Sequence, residues 1–279
     1  MSLTELLIEL AELGGKILRE SQLDLNKIAI VAVSRDDVTR RIDLEVEKAI
    51  LDKLREHKVN CIFIGEEHGV VFLGEKPEHI VVVDPLDGSA NYVSNIPIYA
   101  VSIAACRYKG EDTKLGDVIA GVINYVPLGV MYVADVERQR FIIQGRDMQF
   151  EKYPHEKPSF VLYIEPRDMQ VMLKFLEEFW REFPDLRVRV LGAASIELTE
   201  TLLNKFLAFI DLRSRLRVVD IAAAYAIARV LGAKMTDHRG VDLGEYKLLE
   251  LPRLNVVASR SEDVHDKLLN ILSRVLRKF

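Results

Sequence analysis

The run Val81-Val82-Val83-Asp84-Pro85-Leu86-Asp87-Gly88-Ser89-Ala90-Asn91 decides how the rest of the chain is read. Its three valines predict a strand, and that strand runs straight into two acids with a proline, a glycine and a serine among them. A turn at this point carries Asp84 and Asp87 toward one place. Two carboxylates held close repel each other unless a cation lies between them, and hard divalent ions such as Mg²⁺ take oxygen ligands of this kind. Gly88 lets the backbone approach a ligand closely. A helix starting near Ser89 would offer free N–H groups to an anion. The same residues also suit a plain Asx-Pro turn between two elements.

Other acids stand in comparable places. Glu66 and Glu67, in Ile64-Gly65-Glu66-Glu67-His68-Gly69, follow a second apolar strand. Alone they read as a solvated loop. If the two strands are neighbours in a sheet, both acid clusters share one edge. Asp220 precedes the run Ile221-Ala222-Ala223-Ala224, where an N-cap belongs. A carboxylate has two oxygens, so capping leaves one for a second role. Asp43 lies beside Ile42 within a helical pattern, where Asp is a poor helix former and also reads as an exposed surface acid. His68, His79 and His238 have no ligand spacing and read as ordinary loop or surface histidines. Ser102 and Ser159 stand in strands with no GxSxG elbow, so a Ser–His–Asp mechanism has no support.

Around these motifs the pattern is of mixed α/β class. Leu6, Leu7, Leu10, Leu13 and Ile17 recur at helical spacing, with Ser2 and Glu5 placed for a capping box. A second helix is predicted over 40–57, with a charged, mobile loop within 26–37. Strands are predicted over 60–65, 79–84, 100–107, 118–126, 130–136 and 140–144, forming an antiparallel sheet with both helices on it. Residues 151–158 are polar with two prolines, and a boundary there divides the chain into domains 1–150 and 151–279. Beyond it strands at 160–164, 188–191, 208–212 and 256–258 alternate with helices at 168–183, 195–204, 220–231 and 262–276, an α/β layer arrangement.

The chain has 279 residues, a net charge of −5, 49% hydrophobic residues and 29% charged ones, which suits one large domain or two joined ones. Mild acidity argues against nucleic acid as the main partner, since backbone binding needs surplus Lys and Arg. Cys61 and Cys106 form no CxxC pair and read as buried free thiols, which points to the cytoplasm. The first residues lack the basic start of a signal peptide. No apolar run approaches the roughly 20 residues of a membrane span, so no membrane role is expected.

Taken in order, five segments resemble the inositol monophosphatase superfamily, which includes archaeal enzymes with both inositol monophosphatase and fructose-1,6-bisphosphatase activity. They are Asp43-Leu44-Glu45-Val46-Glu47, Gly65-Glu66-Glu67, Asp84 to Asn91, Leu191-Gly192-Ala193-Ala194-Ser195 and Val219-Asp220-Ile221-Ala222-Ala223. The resemblance implies a layered αβαβα sandwich and a homodimer. It implies two or three Mg²⁺, with Mn²⁺ as a substitute. Glu66, Asp84 and the Leu86 carbonyl would hold the first ion, Asp84, Asp87 and Asp220 the second, and a third would share Glu66. Ser89, in place of the family's usual Thr, and Asp43 would orient and help deprotonate the attacking water. Asp87, Gly88, Ser89, Gly192, Ala193 and Ala194 would bind substrate, with the amides of Gly88 and Ser89 around the phosphate. The reaction implied is in-line attack of metal-activated water on phosphorus, with no phosphoenzyme.

The sequence departs from the family pattern at Val219 and Ala223, where Trp and Gly are usual. Arg213 stands where animal enzymes carry an acid that binds inositol hydroxyls. Arg213, Arg215 and Arg217 alternate, which suits one solvated strand face. They also suit a second phosphate, met by Arg213 with Arg215 or Arg189. The latter implies a small phosphorylated sugar or polyol as substrate, inositol 1-phosphate and fructose 1,6-bisphosphate among them. The alternatives are a 3′(2′),5′-bisphosphate nucleotidase of the same superfamily and a regulatory binding protein that keeps the fold.

Overall fold

The computed structural model describes residues 1–22, 24, 26, 29–33, 38–144, 159–163, 169–185 and 187–276. Ser2 begins the first helix, α1 (Leu3–Ser21), through the expected capping box. Its hydroxyl accepts from the Glu5 amide at 3.3 Å, and the Glu5 carboxylate accepts from the Ser2 amide at 2.6 Å. A short antiparallel pair follows, β1 (Ile30–Val33) and β2 (Val38–Arg40), so part of the expected loop is strand. Residues 34–37 between them lie outside the described residues. The second helix, α2 (Arg41–Glu56), buries Ile42, Val46, Ile50 and Leu54 at helical spacing.

The next seven strands are β3 (Cys61–Gly65), β4 (Gly69–Leu73), β5 (His79–Asp87), β6 (Ala100–Arg107), β7 (Val118–Tyr125), β8 (Val130–Asp135) and β9 (Arg140–Gln144). A five-residue helix, α3 (Ser89–Val93), follows β5. These strands form one sheet in the order β4-β3-β5-β6-β7-β8-β9. The expected antiparallel sheet is corrected at one pair, because β3 and β5 run parallel. The unexpected β4 returns antiparallel on the far side of β3, so β5 must re-enter in the direction of β3.

Beyond residues 151–158, which lie outside the described residues, come β10 (Ser159–Tyr163), α4 (Met169–Glu182), β11 (Arg187–Arg189), α5 (Ala194–Leu202), β12 (Ala208–Leu216), α6 (Val218–Leu231), β13 (Lys234–Thr236), β14 (Leu254–Ser259) and α7 (Glu262–Leu276). Their strands form a second sheet, ordered β11-β10-β12-β14-β13.

Strand alternation sorts the core into layers. Val81, Val83, Val101 and Ile103 face α1 and α2. Ile80, Val82, Ala104 and Ile123 face the opposite way, toward Ile196 of α5 and Ile221, Ala222 and Tyr225 of α6, with Phe209 and Val256 of the second sheet beyond. The outer face of that sheet, with Phe160, Ile210 and Val257, is covered by Phe175 and Phe179 of α4 and Leu268 and Leu272 of α7. The result is an αβαβα sandwich, as expected. A helix between two sheets must be apolar all round, which is why α6 reads as an alanine-rich run rather than an amphipathic stripe. Cys61 and Cys106 are buried free thiols in this core, and burial pushes the Cys61 thiol up to about 12. Among the described residues no helix is long and apolar enough to cross a membrane.

Candidate active site

Parallel pairing of β3 and β5 puts Gly65 opposite Val83. Glu66, just past β3, and Asp84, the residue after Val83 on β5, therefore lie at the same end of the two strands. On the other side of β5, Asp84 pairs with Ser102 and Asp87 with Ala100 of β6. The extra residue on β5 is a β-bulge. In a regular strand positions three apart point to opposite faces. The bulge returns Asp87 to the side of Asp84. Gly88 then turns the chain at φ +88°, where an added Cβ would lie 2.7 Å from the Ile98 carbonyl. The third element at this end is α6. Asp220 is its third residue and accepts the Arg217 amide at 2.6 Å, which secures the helix start. Its other oxygen faces the Arg217 guanidinium at 3.4 Å. The expected N-cap is thus corrected: Arg217 holds that position, and Asp220 secures the helix start from its first turn.

Arg217 also donates to Glu66, joining an acid after β3 to one at the start of α6. Asp84 accepts the Leu86 amide at 3.0 Å, bracing the turn. Burial, and then the Glu66, Asp87 and Asp220 carboxylates, push the Asp84 carboxyl well above the ordinary range. Burial likewise raises Asp87 to about 6, against hydrogen bonds that stabilise its anion. Those bonds come from the Ala194 amide at 2.9 Å, the Ser195 amide at 2.8 Å and the Ser195 hydroxyl at 2.5 Å. The start of α5 therefore fixes Asp87 from across the inter-sheet layer.

The turn before α5 is held just as closely. Asn91 donates to the carbonyls of Leu191 at 2.7 Å and Ile98 at 2.8 Å. Gly192 has φ +85°, and a Cβ there would come within 3.1 Å of the Asn91 amide. Ala193 is buried, directly before α5. Ser89 opens α3. Asp43 is buried, not exposed, and takes the Arg40 amide at 2.9 Å as third residue of α2. That position explains a poor helix former inside a helix, because an acid in the first turn satisfies free N–H groups.

The arginines do not share one solvated face. β12 breaks register between Asp211 and Leu216, and Ser214 there has φ +54°. Arg213 packs over the Tyr163 ring and pairs with buried Asp211 at 2.6 Å, while Arg217 belongs to the acid cluster. Arg189 ends the exposed edge strand β11.

Several contributing residues were not singled out by the sequence reading. Ser195 is the hydroxyl on Asp87. Glu47, wholly buried, takes the Glu67 amide at 2.9 Å and the His68 amide and ring at 2.6 and 2.8 Å. It secures the turn beside Glu66 and makes His68 part of that turn rather than an ordinary loop histidine. Glu47 sits four residues after Asp43, one helical turn on, and that spacing was the available signal.

Among the described residues no group of three or more His, Cys, Asp or Glu side chains is arranged so that it could hold a metal ion as it stands. Arg217 lies against Glu66 and Asp220, and amides and a hydroxyl hold the Asp87 oxygens. The donor set still fits a hard divalent cation. It is all oxygen, it draws on three chain segments, and mutual repulsion at Asp84 is the cost such an ion relieves.

An αβαβα sandwich with acids gathered at one end of a sheet suits a metal-assisted phosphoric monoester hydrolase. The family model for the inositol monophosphatase family matches residues 1–277. The chain is 29% identical over 249 residues to a fructose-1,6-bisphosphatase of Pyrococcus furiosus, covering 89% of each. It is 29% identical over 239 residues to a fructose-1,6-bisphosphatase/inositol-1-monophosphatase of Methanothermobacter thermautotrophicus, covering 84% of this chain and 83% of the other. The crystal structure of the MJ0109 gene product, an inositol monophosphatase-fructose 1,6 bisphosphatase, superposes with a TM-score of 0.75 at 24% identity, covering 97% of this chain and 100% of that one. The chain belongs to the inositol monophosphatase family.

Proposed function

We propose that this chain is a Mg²⁺-dependent phosphomonoesterase that hydrolyses inositol 1-phosphate and fructose 1,6-bisphosphate. The observation that carries the reading is the approach of Glu66, Asp84, Asp87 and Asp220 to one another, with the Asp84 carboxyl raised first by burial and then by the other three. Glu66, Asp84, the Leu86 carbonyl, Asp87 and Asp220 would hold two or three divalent ions, Mg²⁺ with Mn²⁺ as substitute. Bound there, the ions supply Lewis acidity and lower the pKa of water.

The chain's own groups do the positioning. Gly88 and Ser89 present backbone amides at the start of α3, where a phosphate is cradled. Ser89 and Asp43 orient the attacking water and take its proton. Asp87 is kept in place by Ala194 and Ser195, so the two sheets share one site. Gly192, Ala193 and Ala194 line the substrate side, and Arg189 and Arg213 meet a second phosphate. A homodimer in the cytoplasm, built from units 1–150 and 151–279, completes the proposal.

The test is phosphate release from both substrates with Mg²⁺ and with excess EDTA, alongside adenosine 3′,5′-bisphosphate. Mg²⁺-dependent release from the first two supports the reading. Release in EDTA, or preference for the nucleotide, overturns it.

A further inference from the structure

We propose that Tyr163, held by Glu197, is a positioning residue that sets how the site treats a second phosphate, acting through Arg213. The inference rests on the reading of Arg213 as the arginine that meets that phosphate.

Tyr163 ends β10 and pairs in register with Asp211 of β12. Arg213 follows two residues later and lays its guanidinium over the Tyr163 ring, 4.2 Å from the centroid. Asp211, wholly buried, grips the same group from its edge. Nη2 donates to Oδ2 at 2.6 Å, and Nε lies 3.1 and 3.2 Å from the two oxygens. A guanidinium held by an aromatic face and a buried carboxylate has little rotamer freedom left. Stacking of this kind distinguishes Arg from Lys.

The ring is itself fixed. The Tyr163 hydroxyl donates to the Glu197 carboxylate and accepts the Gly192 amide at 3.0 Å. Glu197 also accepts the Leu191 amide at 2.7 Å. The next amides along the chain, those of Ala194 and Ser195, go to Asp87. A continuous series of contacts therefore links Asp87 at the reacting end to Arg213 at the far end. The hydroxyl of Tyr163 serves the turn, and its ring serves the arginine. The two parts can be removed separately.

The experiment compares kcat/KM for fructose 1,6-bisphosphate and inositol 1-phosphate in Tyr163→Met, Tyr163→Phe and Arg213→Gln with the wild type. Tyr163→Met removes the ring face and should lower kcat/KM for the bisphosphate about tenfold, mainly through KM, with the monophosphate changed less than about threefold. Tyr163→Phe keeps the ring face without its hydroxyl anchor and should retain most of the preference. Tyr163→Leu gives the same comparison should the methionine variant not fold. If Arg213→Gln shifts the ratio and neither ring-free variant does, the role of Tyr163 is overturned while that of Arg213 stands. If Arg213→Gln leaves the ratio unchanged, the reading of Arg213 falls and the inference with it.

Discussion

Asp84 and Asp87 stand three residues apart on β5, yet their partners on β6, Ser102 and Ala100, stand only two apart. That single extra residue turns a sequence motif into a site. Without it the two carboxylates would lie on opposite faces of the sheet. With it they share one face, where Glu66 and Asp220 reach the same end of the sheet from β3 and α6.

The bulge makes Asp84 the most crowded of the four acids, since burial and three other carboxylates all disfavour its charge. Asp84→Asn keeps an oxygen for the Leu86 amide and removes the charge. Its kcat/KM in Mg²⁺ should fall by about three orders of magnitude or more. Its melting temperature in EDTA at pH 8 should equal or exceed that of the wild type. Calorimetry and phosphate release on the same preparation check both halves.

Ser195 gives Asp87 one of its three hydrogen bonds. Ser195→Ala leaves the two amides and takes away the hydroxyl, making the Asp87 anion less stable. The Mg²⁺ concentration for half-maximal rate should rise roughly ten- to hundredfold, in keeping with about 1.5–3 kcal/mol for a lost hydrogen bond to a charged group. Titration of the rate with Mg²⁺ reads this directly, and an unchanged midpoint would contradict it.

The parts of this site legible in the sequence are those where local pattern and chemistry coincide. Asp84 and Asp87 lie in the last four residues of β5, after its valines, and Asp220 lies in the first turn of an alanine-rich helix, so their chain positions alone placed them near element ends. The bulge was not legible, because register depends on the partner strand. The contacts of Ser195, Glu47 and Tyr163 were missed for a related reason. Their partners lie 108, 20 or 21, and 29 or 34 residues away, and of the three only Glu47, one helical turn after Asp43, carried a local spacing to mark it. Strand β4 was missed although Val70-Val71-Phe72-Leu73, bounded by Gly69 and Gly74, is a run of strand formers between turn residues. The expected single face of arginines failed at Ser214, where the strand breaks its alternation.

Burial is the main cause that pushes Glu197 from its ordinary 4.5 up to about 7, against hydrogen bonds from Tyr163 and Leu191 that favour its anion and with Asp87 adding to the rise. Between those values the folded protein holds a proton that the unfolded chain releases. Its stabilising contribution is therefore complete below about pH 4.5 and lost as pH climbs through 7. Glu197→Gln carries no charge at any pH. In EDTA, wild type should lose stability relative to this variant across that window, measured by urea unfolding at several pH values. The difference between the two proteins reports Glu197 together with its coupling to Asp87. A constant gap from pH 4.5 to 7.5 would contradict the assignment.

Gly121 of β7 lies directly under α6, and a Cβ there would come within 2.7 Å of the Ala226 methyl and 2.8 Å of the Ala223 carbonyl. Gly121→Ala must push the helix that carries Asp220 away from the sheet. A loss of about 1–3 kcal/mol is expected from overpacking, together with a higher Mg²⁺ requirement. Urea unfolding and the Mg²⁺ titration check the two effects.

The central claim is that acids far apart along the chain converge to hold divalent cations. Anomalous diffraction from crystals grown with Mn²⁺ tests it most directly. The account predicts at least one peak at about 2.1–2.3 Å from oxygens of Asp84 and either Glu66 or Asp220, with Arg217 moved from its contact with them. Saturating Mn²⁺ with no peak beside those side chains, and Arg217 still seated against Glu66, would contradict it.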